Sequence, residues 1–282
     1  MKKTPSSTRA RSPKKPALVL KLGGELLEQP QDLETIAKAI ARLSRHASLV
    51  VVHGGGREID AALNTAGIPK QQVDGLRVTD ARTLDVVVAV LAGAINTRLV
   101  AAVRQAGANP VGLTGADATV ATMKRAAPIV TTAGETVDLG LVGAPVRNGT
   151  PRLLTDLLAR SYVPIVACIG VTRKGELLNV NADTLASHLA SALRARRLVI
   201  AGGTSGVLDE QGQTIERLTT RDAARLVKAG TANKGMVAKL QACRAALQAG
   251  VGDVVIADGR KTRLGTLADS STSLSGCTQV VR

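Results

Sequence analysis

Ala17-Leu18-Val19-Leu20-Lys21-Leu22-Gly23-Gly24 and Leu49-Val50-Val51-Val52-His53-Gly54-Gly55-Gly56 each join an apolar, β-rich run to a glycine turn. Each turn leads into a segment with the apolar spacing of a helix. A glycine turn at the start of a helix lets backbone N–H groups approach an anion closely, because glycine has no Cβ. The two turns, with a lysine beside the first, predict a site for a large and highly charged phosphate group.

The composition suits an α/β core that is built without aromatic side chains. The chain has 282 residues, 45% of them apolar, with no Phe, no Trp and one Tyr. Small aliphatic and β-branched side chains suit a parallel sheet that helices cover on both faces. The lack of aromatic residues argues against binding of single-stranded nucleic acid, which relies on stacking of bases on aromatic rings.

Positive charges exceed negative charges by fifteen, and six of them lie in residues 1–16, which contain no acidic residue. This segment is rich in Ser and Pro and has no apolar period, so we predict a disordered basic tail. Contact of the tail with nucleic acid is the weaker interpretation, and a solvated tail is the simpler one. The remaining positive charge suits anionic ligands such as nucleotides and carboxylates.

Cysteine usage and hydropathy bear on the compartment. Cys168, Cys243 and Cys277 are widely spaced and form no C-x-x-C pair, and residues 1–16 hold no apolar segment of a secretory signal. No apolar run reaches the roughly 20 residues of a membrane span. We therefore expect a reduced, cytoplasmic protein without a membrane segment.

Apolar periodicity predicts alternating strands and helices along most of the chain. Predicted strands cover residues 17–22, 49–53, 109–113, 163–171, 197–201 and 253–257. Predicted helices cover residues 31–46, 57–66, 81–106, 155–160, 184–194, 222–229 and 234–250. Residues 118–152 hold short β-like runs between glycines, which predict hairpins. The alternation predicts an α/β fold, a three-layer αβα sandwich with a mainly parallel open sheet.

Neither glycine turn matches a dinucleotide-binding or Walker motif, so the motifs downstream decide the interpretation. They are Gly75-Leu76-Arg77-Val78-Thr79-Asp80, Asn179-Val180-Asn181-Ala182-Asp183 and Gly235-Met236-Val237-Ala238-Lys239. With the two glycine turns they stand in an order and at a spacing that resemble the amino acid kinase family, over residues 17–260. Within that family the chain is similar to the members that phosphorylate N-acetyl-L-glutamate.

The resemblance implies ATP-dependent phosphorylation of the side-chain carboxylate of N-acetyl-L-glutamate, the second step of arginine biosynthesis through acetylated intermediates. ATP would bring Mg²⁺, which it would itself mainly hold, so no protein metal site is implied. An open eight-stranded sheet is implied, with the acyl amino acid in an N-terminal lobe (residues 17–175) and ATP in a C-terminal lobe (residues 176–282). A homodimer is also implied, because residues 1–16 lack the helical pattern that links dimers into hexamers in arginine-inhibited members.

Transfer to a carboxylate needs cations and N–H groups rather than a general base, because the nucleophile is already ionised at pH 7. By their match to the family motifs, Lys21 and Lys239 are expected to stabilise the transferred phosphoryl group. Asp183 would orient both lysines, and Gly24 would offer an N–H group. The alternative role of Asp183 is the N-cap of the helix that follows it.

The resemblance also assigns the two substrate sites. Gly55, Gly56 and Asn179 would bind the acyl amino acid, and the Arg77 guanidinium suits its α-carboxylate. Residues assigned to the nucleotide are Gly203, Thr204, Ser205, Gly206, Val207, Leu208, Thr231, Ala232 and Asn233. Gly203 stands where the family usually has Asp, so we expect a looser nucleotide loop, and Lys234 would add positive charge near the phosphates.

Three alternatives stay open on the sequence. The same chemistry could act on another N-acyl glutamate or on a carrier-linked aminoadipate, and the size of the pocket beyond Arg77 would decide between these substrates. The loss of the acidic residue at Gly203 suggests the third, a non-catalytic regulatory homologue.

Overall fold

The computed structural model describes residues 15–131, 134–146, 149–209, 211–228, 234–262, 264–268 and 275–282. The strands, in chain order, are β1 (Ala17–Leu22), β2 (Ser48–His53), β3 (Gln72–Val73), β4 (Leu76–Arg77), β5 (Pro110–Thr114), β6 (Met123–Arg125), β7 (Ile129–Val130), β8 (Thr136–Val137), β9 (Gly143–Pro145), β10 (Val163–Ala167), β11 (Ile169–Val171), β12 (Leu177–Asn179), β13 (Arg197–Gly202), β14 (Arg217–Thr219), β15 (Asp253–Asp258) and β16 (Cys277–Val281). The helices are α1 (Pro30–His46), α2 (Gly56–Thr65), α3 (Ala81–Val88), α4 (Asn96–Gln105), α5 (Arg152–Ala159), α6 (Ala182–Ala192), α7 (Thr220–Lys228) and α8 (Lys234–Gln248).

One open sheet holds eight of these strands, in the order β14-β16-β15-β13-β1-β2-β10-β5. The pairs β13–β1, β1–β2, β2–β10, β10–β5 and β13–β15 are parallel. Strand β16 runs antiparallel to β15, and β14 is parallel to β16. The predicted mainly parallel open sheet is therefore confirmed, with β1 near its centre.

Helices cover both faces of the sheet. Helices α1 and α4 pack on each other and on the strands of one face, whereas α5, α6 and α8 pack on the other. This division follows from right-handed crossovers, since connections that step toward β5 and connections that step back leave their helices on opposite faces. The predicted three-layer αβα sandwich is confirmed.

The core is aliphatic throughout. All six residues of β2 are buried, and β13 is likewise buried along its whole length. Strands that are buried on both faces carry continuous runs of Val, Leu and Ile rather than an alternating pattern. Leu20, Val50 and Val199 are each fully buried, so the centre of the sheet lies in the apolar interior.

Two predicted elements differ from the structure. Residues 163–171 were expected as one strand, but β10 ends at Ala167 and β11 leaves the main sheet to pair with β12. At this break Cys168 Sγ donates to the His53 carbonyl oxygen at 3.0 Å, which ties the chain to the end of β2. The predicted helix over residues 81–106 is continuous to Gln105, but Ala89–Ile95 between α3 and α4 is π-helical.

Helix Ala81–Gln105 is the one described helix that is long and apolar enough to cross a membrane by length and composition, with a mean hydropathy of 2.1. Its inward row, which includes Leu91, Ile95 and Leu99, is buried in the core. A core helix of a soluble protein passes the same test, so this segment is weak evidence for a membrane span.

Residues 1–14 of the predicted tail lie outside the described residues, whereas Lys15 donates to the Ser44 carbonyl oxygen at 3.4 Å. Residues 229–233, which include the predicted nucleotide contacts Thr231, Ala232 and Asn233, also lie outside them, as does the side chain of Lys234. The three cysteines are free and buried.

Candidate functional site

The two glycine turns meet at one edge of the sheet. Strands β1 and β2 are parallel neighbours, with Leu22 opposite His53, so the turns that follow them emerge side by side. A Cβ on Gly24 would lie 2.6 Å from the Gly55 Cα, which leaves no room for a side chain at that contact. Among the described residues, no acceptor takes the backbone N–H of Gly24 or that of Gly55. Two unpartnered N–H groups therefore lie together at the start of two helical turns.

Lys21 and Asp183 form a buried ion pair beside these turns. Lys21 Nζ lies 3.0 Å from Asp183 Oδ1, and each side chain is 9% exposed. Asp183 is not the N-cap of α6, because Asn181 Oδ1 accepts the N–H groups of Asp183 at 2.9 Å and Thr184 at 3.1 Å. The Asp183 carboxylate therefore does not cap α6 and instead contacts the Lys21 ammonium group.

Lys239 lies in α8 and lines the same cleft as Asp183 and Asn181. Within the described residues it lacks the carboxylate contact that joins Lys21 to Asp183. The structure therefore brings Lys21, Asp183 and the two glycine turns together, and it leaves Lys239 at the wall of the cleft.

The cleft has a volume of about 1020 Å³. The β3–β4 hairpin covers one side through Asp74, Gly75 and Leu76, and the β7–β8 hairpin contributes Ile129 and Val130. The floor is formed by α6 and α8. Hairpins were expected at residues 118–152, and they form part of the wall of this cleft.

Arg77 at the end of β4 is held close to the second glycine turn. It forms an ion pair with Asp60 and donates to the Gly56 carbonyl oxygen at 3.3 Å, and its side chain is 7% exposed. Burial opposes ionisation of Asp60, but hydrogen bonds from Lys70 and Arg77 outweigh it and lower the pKa of this carboxyl. Arg77 Nη1 is buried without a hydrogen-bond partner, which in a folded protein calls for a ligand or a water.

Asn179 ends β12 and reaches the motif that contains Arg77. Its Nδ2 donates to Thr79 Oγ1 at 3.1 Å, and the Thr79 side chain donates in turn to the Arg77 carbonyl oxygen at 3.3 Å. Thr79 is fully buried. This chain of hydrogen bonds ties two of the predicted substrate residues into one unit.

The predicted nucleotide loop begins where β13 ends, next to the first glycine turn. The Gly203 N–H donates to Glu25 Oε1 at 3.0 Å, and the Val207 N–H donates to Thr278 Oγ1 at 2.8 Å. The side chain of Leu208 is 51% exposed. A looser loop was expected from the missing acidic residue, but Glu25 supplies a carboxylate to the Gly203 backbone.

Sequence reasoning missed Glu25 because nothing in the sequence signals a pairing between positions 25 and 203. Arg260, also missed, donates to the Glu25 carbonyl oxygen at 2.5 Å and to Asp32 Oδ2 at 2.7 Å. Within the described part of the chain, no group of three His, Cys, Asp or Glu side chains could hold a metal ion.

Comparison with known proteins identifies relatives of the chain. Residues 16–258 match the model of the Amino acid kinase family. Over 249 residues the chain is 40% identical to acetylglutamate kinase from Rhizobium leguminosarum bv. trifolii, which covers 86% of this chain and 84% of the relative. Over 248 residues it is 37% identical to acetylglutamate kinase from Bradyrhizobium diazoefficiens, with coverage of 86% and 84%.

A solved structure is also similar in fold. N-acetylglutamate synthase from Neisseria gonorrhoeae, complexed with coenzyme A and N-acetyl-glutamate, superimposes with a TM-score of 0.79 at 25% identity. The match covers 95% of this chain and 59% of that chain.

Proposed function

We propose that this chain, which belongs to the amino acid kinase family, phosphorylates the side-chain carboxylate of N-acetyl-L-glutamate with ATP. The observation that carries the proposal is the buried Lys21–Asp183 pair beside the unpartnered N–H groups of Gly24 and Gly55. The similarity to acetylglutamate kinases over most of the chain favours this substrate over other acyl amino acids and over a non-catalytic role.

In the proposed reaction, a carboxylate oxygen of the substrate forms a bond to the γ-phosphorus of ATP. The bond from that phosphorus to the β–γ bridging oxygen breaks, and ADP leaves with the electron pair. No proton has to be removed from the nucleophile, so the barrier lies in bringing two anions together and in stabilising the phosphoryl oxygens. Lys21, Lys239 and the N–H groups of Gly24 and Gly55 supply that stabilisation, and Asp183 holds Lys21 in place.

For the acyl amino acid, we propose Gly55, Gly56, Arg77 and Asn179. The buried Arg77 Nη1 that has no partner supports a role as donor to the substrate α-carboxylate. Because Asp60 already fixes the guanidinium, little side-chain freedom would be lost on binding.

For the nucleotide, we propose the loop of Gly203, Thr204, Ser205, Gly206, Val207 and Leu208, with Thr231, Ala232 and Asn233. The exposed apolar surface of Leu208 is suited to contact with a base. Mg²⁺ would be held mainly by the phosphate oxygens of ATP, as is usual for this ion, and would neutralise their charge. These residues belong to the proposed C-terminal lobe, residues 176–282. The acyl amino acid would bind to the proposed N-terminal lobe, residues 17–175, with Asn179 added from the start of the C-terminal lobe.

We also propose a cytoplasmic homodimer that acts in arginine biosynthesis. Helix Ala81–Gln105 supports the dimer, because its exposed residues Ala89, Gly93 and Ala94 have small, uncharged side chains. A second copy could approach these residues closely. Ala94→Glu should then give a monomer by light scattering, and an unchanged mass would exclude these residues from the interface.

The test of function is trapping of the acyl phosphate as a hydroxamate from ATP, Mg²⁺ and N-acetyl-L-glutamate. Lys21→Ala should lose about 100-fold in rate, as expected when one donor to the developing charge is removed. Lys38→Ala is the matched control, because Lys38 is exposed and forms a surface ion pair with Glu34. A folded wild-type protein that forms no hydroxamate would refute the proposal, and comparison of kcat/KM for other N-acyl glutamates would identify a different substrate.

A further inference from the structure

Hydrogen bonds fix the start of the second glycine turn at His53 and Gly54. The His53 carbonyl oxygen accepts from Cys168 Sγ at 3.0 Å, and the Gly54 N–H donates to the Leu22 carbonyl oxygen at 3.0 Å. Burial raises the pKa of the Cys168 thiol to about 12, so the thiol keeps the proton that it donates. The Gly54 carbonyl oxygen lies 3.2 Å from His53 Nδ1. Among the described groups of this turn, the N–H groups of Gly55 and of Gly56, the first residue of α2, have no acceptor, and the Gly55 N–H is the one that lies against Gly24.

Asn96 fixes which nitrogen of the His53 ring carries the proton. Asn96 Nδ2 lies 2.9 Å from the Ile165 carbonyl oxygen and 3.1 Å from His53 Nε2. A carbonyl oxygen can only accept, so the atom of Asn96 that faces it must be the amide NH₂, whose second hydrogen points to the histidine. His53 Nε2 is then an acceptor, and Nδ1 carries the proton that is donated to Gly54.

The ring stays neutral in this environment. Burial is the main cause of a pKa that falls from 6.5 to about 4; the hydrogen bond to Gly54 opposes the shift and the charge of Arg98 adds to it. At pH 7 a neutral ring with a proton on Nδ1 can donate to the Gly54 carbonyl oxygen and accept from Asn96 Nδ2.

The Gly54 carbonyl and the Gly55 N–H belong to the same peptide group. That group is planar and trans, so the two bonds point to opposite sides of it, and whatever fixes the carbonyl also aims the N–H. We propose that His53 is a positioning residue, which holds the Gly54 carbonyl through Nδ1–H and thereby aims the Gly55 N–H at the transferred phosphoryl group. This inference rests on the proposed function, since it gives the Gly55 N–H its target.

The helical segment Ala89–Ile95 packs directly against the second glycine turn. A Cβ on Gly55 would lie 2.1 Å from Ile95 Cδ1 and 3.0 Å from Leu91 Cδ2, so the turn sits directly on these side chains. In an α-helix, residues five apart point about 140° away from each other. The π-helical segment Ala89–Ile95 brings residues five apart onto one face, which lets Asn96 join Leu91 beneath the turn.

Two substitutions of His53 separate positioning from packing. In His53→Asn the amide nitrogen takes the place of Nδ1 and can still donate to Gly54. In His53→Gln the amide takes the place of Nε2, so it can pair with Asn96 but not with the Gly54 carbonyl. Both variants lose the ring, and each is a control for the packing defect of the other.

The readouts are kcat, the two KM values and the affinity for MgADP with aluminium fluoride and N-acetyl-L-glutamate, which mimics the transferred phosphoryl group. His53→Asn should keep kcat within about threefold, whereas His53→Gln should lose tenfold or more in kcat and in affinity for the mimic. KM for both substrates should stay within about twofold in each variant. Circular dichroism at the assay temperature establishes that both are folded.

Equal kcat values for the two variants, in a preparation whose wild type is active, would overturn the positioning role and leave the proposed function intact. A wild type that forms no acyl phosphate would instead overturn the proposed function, and this inference with it. If either variant does not fold, ¹⁵N spectra of the three wild-type histidines decide the matter. His53 should then carry its proton on Nδ1, and a proton on Nε2 would refute the inference.

Discussion

Mild acid should destabilise the fold through His53 before the carboxylates titrate. Burial lowers the pKa of His53 from 6.5 to about 4 in the folded protein. Between these two pH values the unfolded chain therefore binds a proton on His53 that the folded chain does not bind. The stability is therefore present above pH 6.5 and is lost as the pH falls toward 4. At 1.36 kcal/mol for each pKa unit, the whole shift is worth about 3 kcal/mol, of which about 2 kcal/mol is lost between pH 7 and pH 5.

Urea unfolding at pH 7.0 and pH 5.0, at one protein concentration, measures this loss. His53→Asn does not titrate in this range, so its loss between the two pH values should be smaller by about 2 kcal/mol. Burial also lowers the pKa of His188. Comparison of the double variant His53→Asn/His188→Asn with His53→Asn gives the part of the pH-dependent stability loss that is due to His188. The same loss in wild type and in His53→Asn would refute the reasoning, as would an NMR titration in which the folded His53 ring has a pKa near 6.5.

Three further perturbations test the packing and charges around the site. Gly55→Ala places a methyl group 2.1 Å from Ile95 Cδ1 and should cost about 1–3 kcal/mol in urea unfolding, and added Ile95→Ala should relieve the overlap if that contact is the cause. Asp253→Ala strips a carboxylate from the Arg197 guanidinium, whose side chain is 5% exposed, and should cost about 3–5 kcal/mol; a loss under 1 kcal/mol would contradict this estimate. Glu25→Gln keeps an acceptor and removes a negative charge beside the nucleotide loop, so KM for ATP should fall at nearly constant kcat, whereas a rise would mean that the carboxylate assists binding.

The sequence predicts the order of strands and helices well, because continuous apolar runs and helical spacing follow directly from burial. The exceptions depend on contacts between distant parts of the chain. The strand that ends at Ala167 is followed by a bond from Cys168 to His53 and by pairing of β11 with β12, and no local pattern indicates either contact. The sequence also gives no indication of the π-helical segment Ala89–Ile95, because one extra residue in a helical turn barely changes the pattern of apolar residues.

The candidate site was predictable in part. The motifs identified Lys21, Asp183 and Arg77 as candidate site residues. In the structure, Lys21 Nζ lies 3.0 Å from Asp183 Oδ1. The sequence offered the N-cap of α6 as an alternative role for Asp183, but the structure gives that role to Asn181. Nothing in the sequence indicates that Asn96 would select the tautomer of His53, because the two residues are 43 positions apart.

The position of β16 has a consequence for the order in which the chain can fold during synthesis. Strands β1, β2, β5 and β10 all come from the first 167 residues, so half of the sheet can pair before the rest is made. Among the described strands, β14 is the edge strand that pairs with β16, and β16 begins at Cys277. Synthesis must therefore run from β14 to β16 before that edge can close, and at about 5–20 residues per second this takes several seconds. In the last part of this interval β15 has been made but β16 has not, and the unpaired apolar edge of β15 is where a chaperone or an aggregating neighbour would attach.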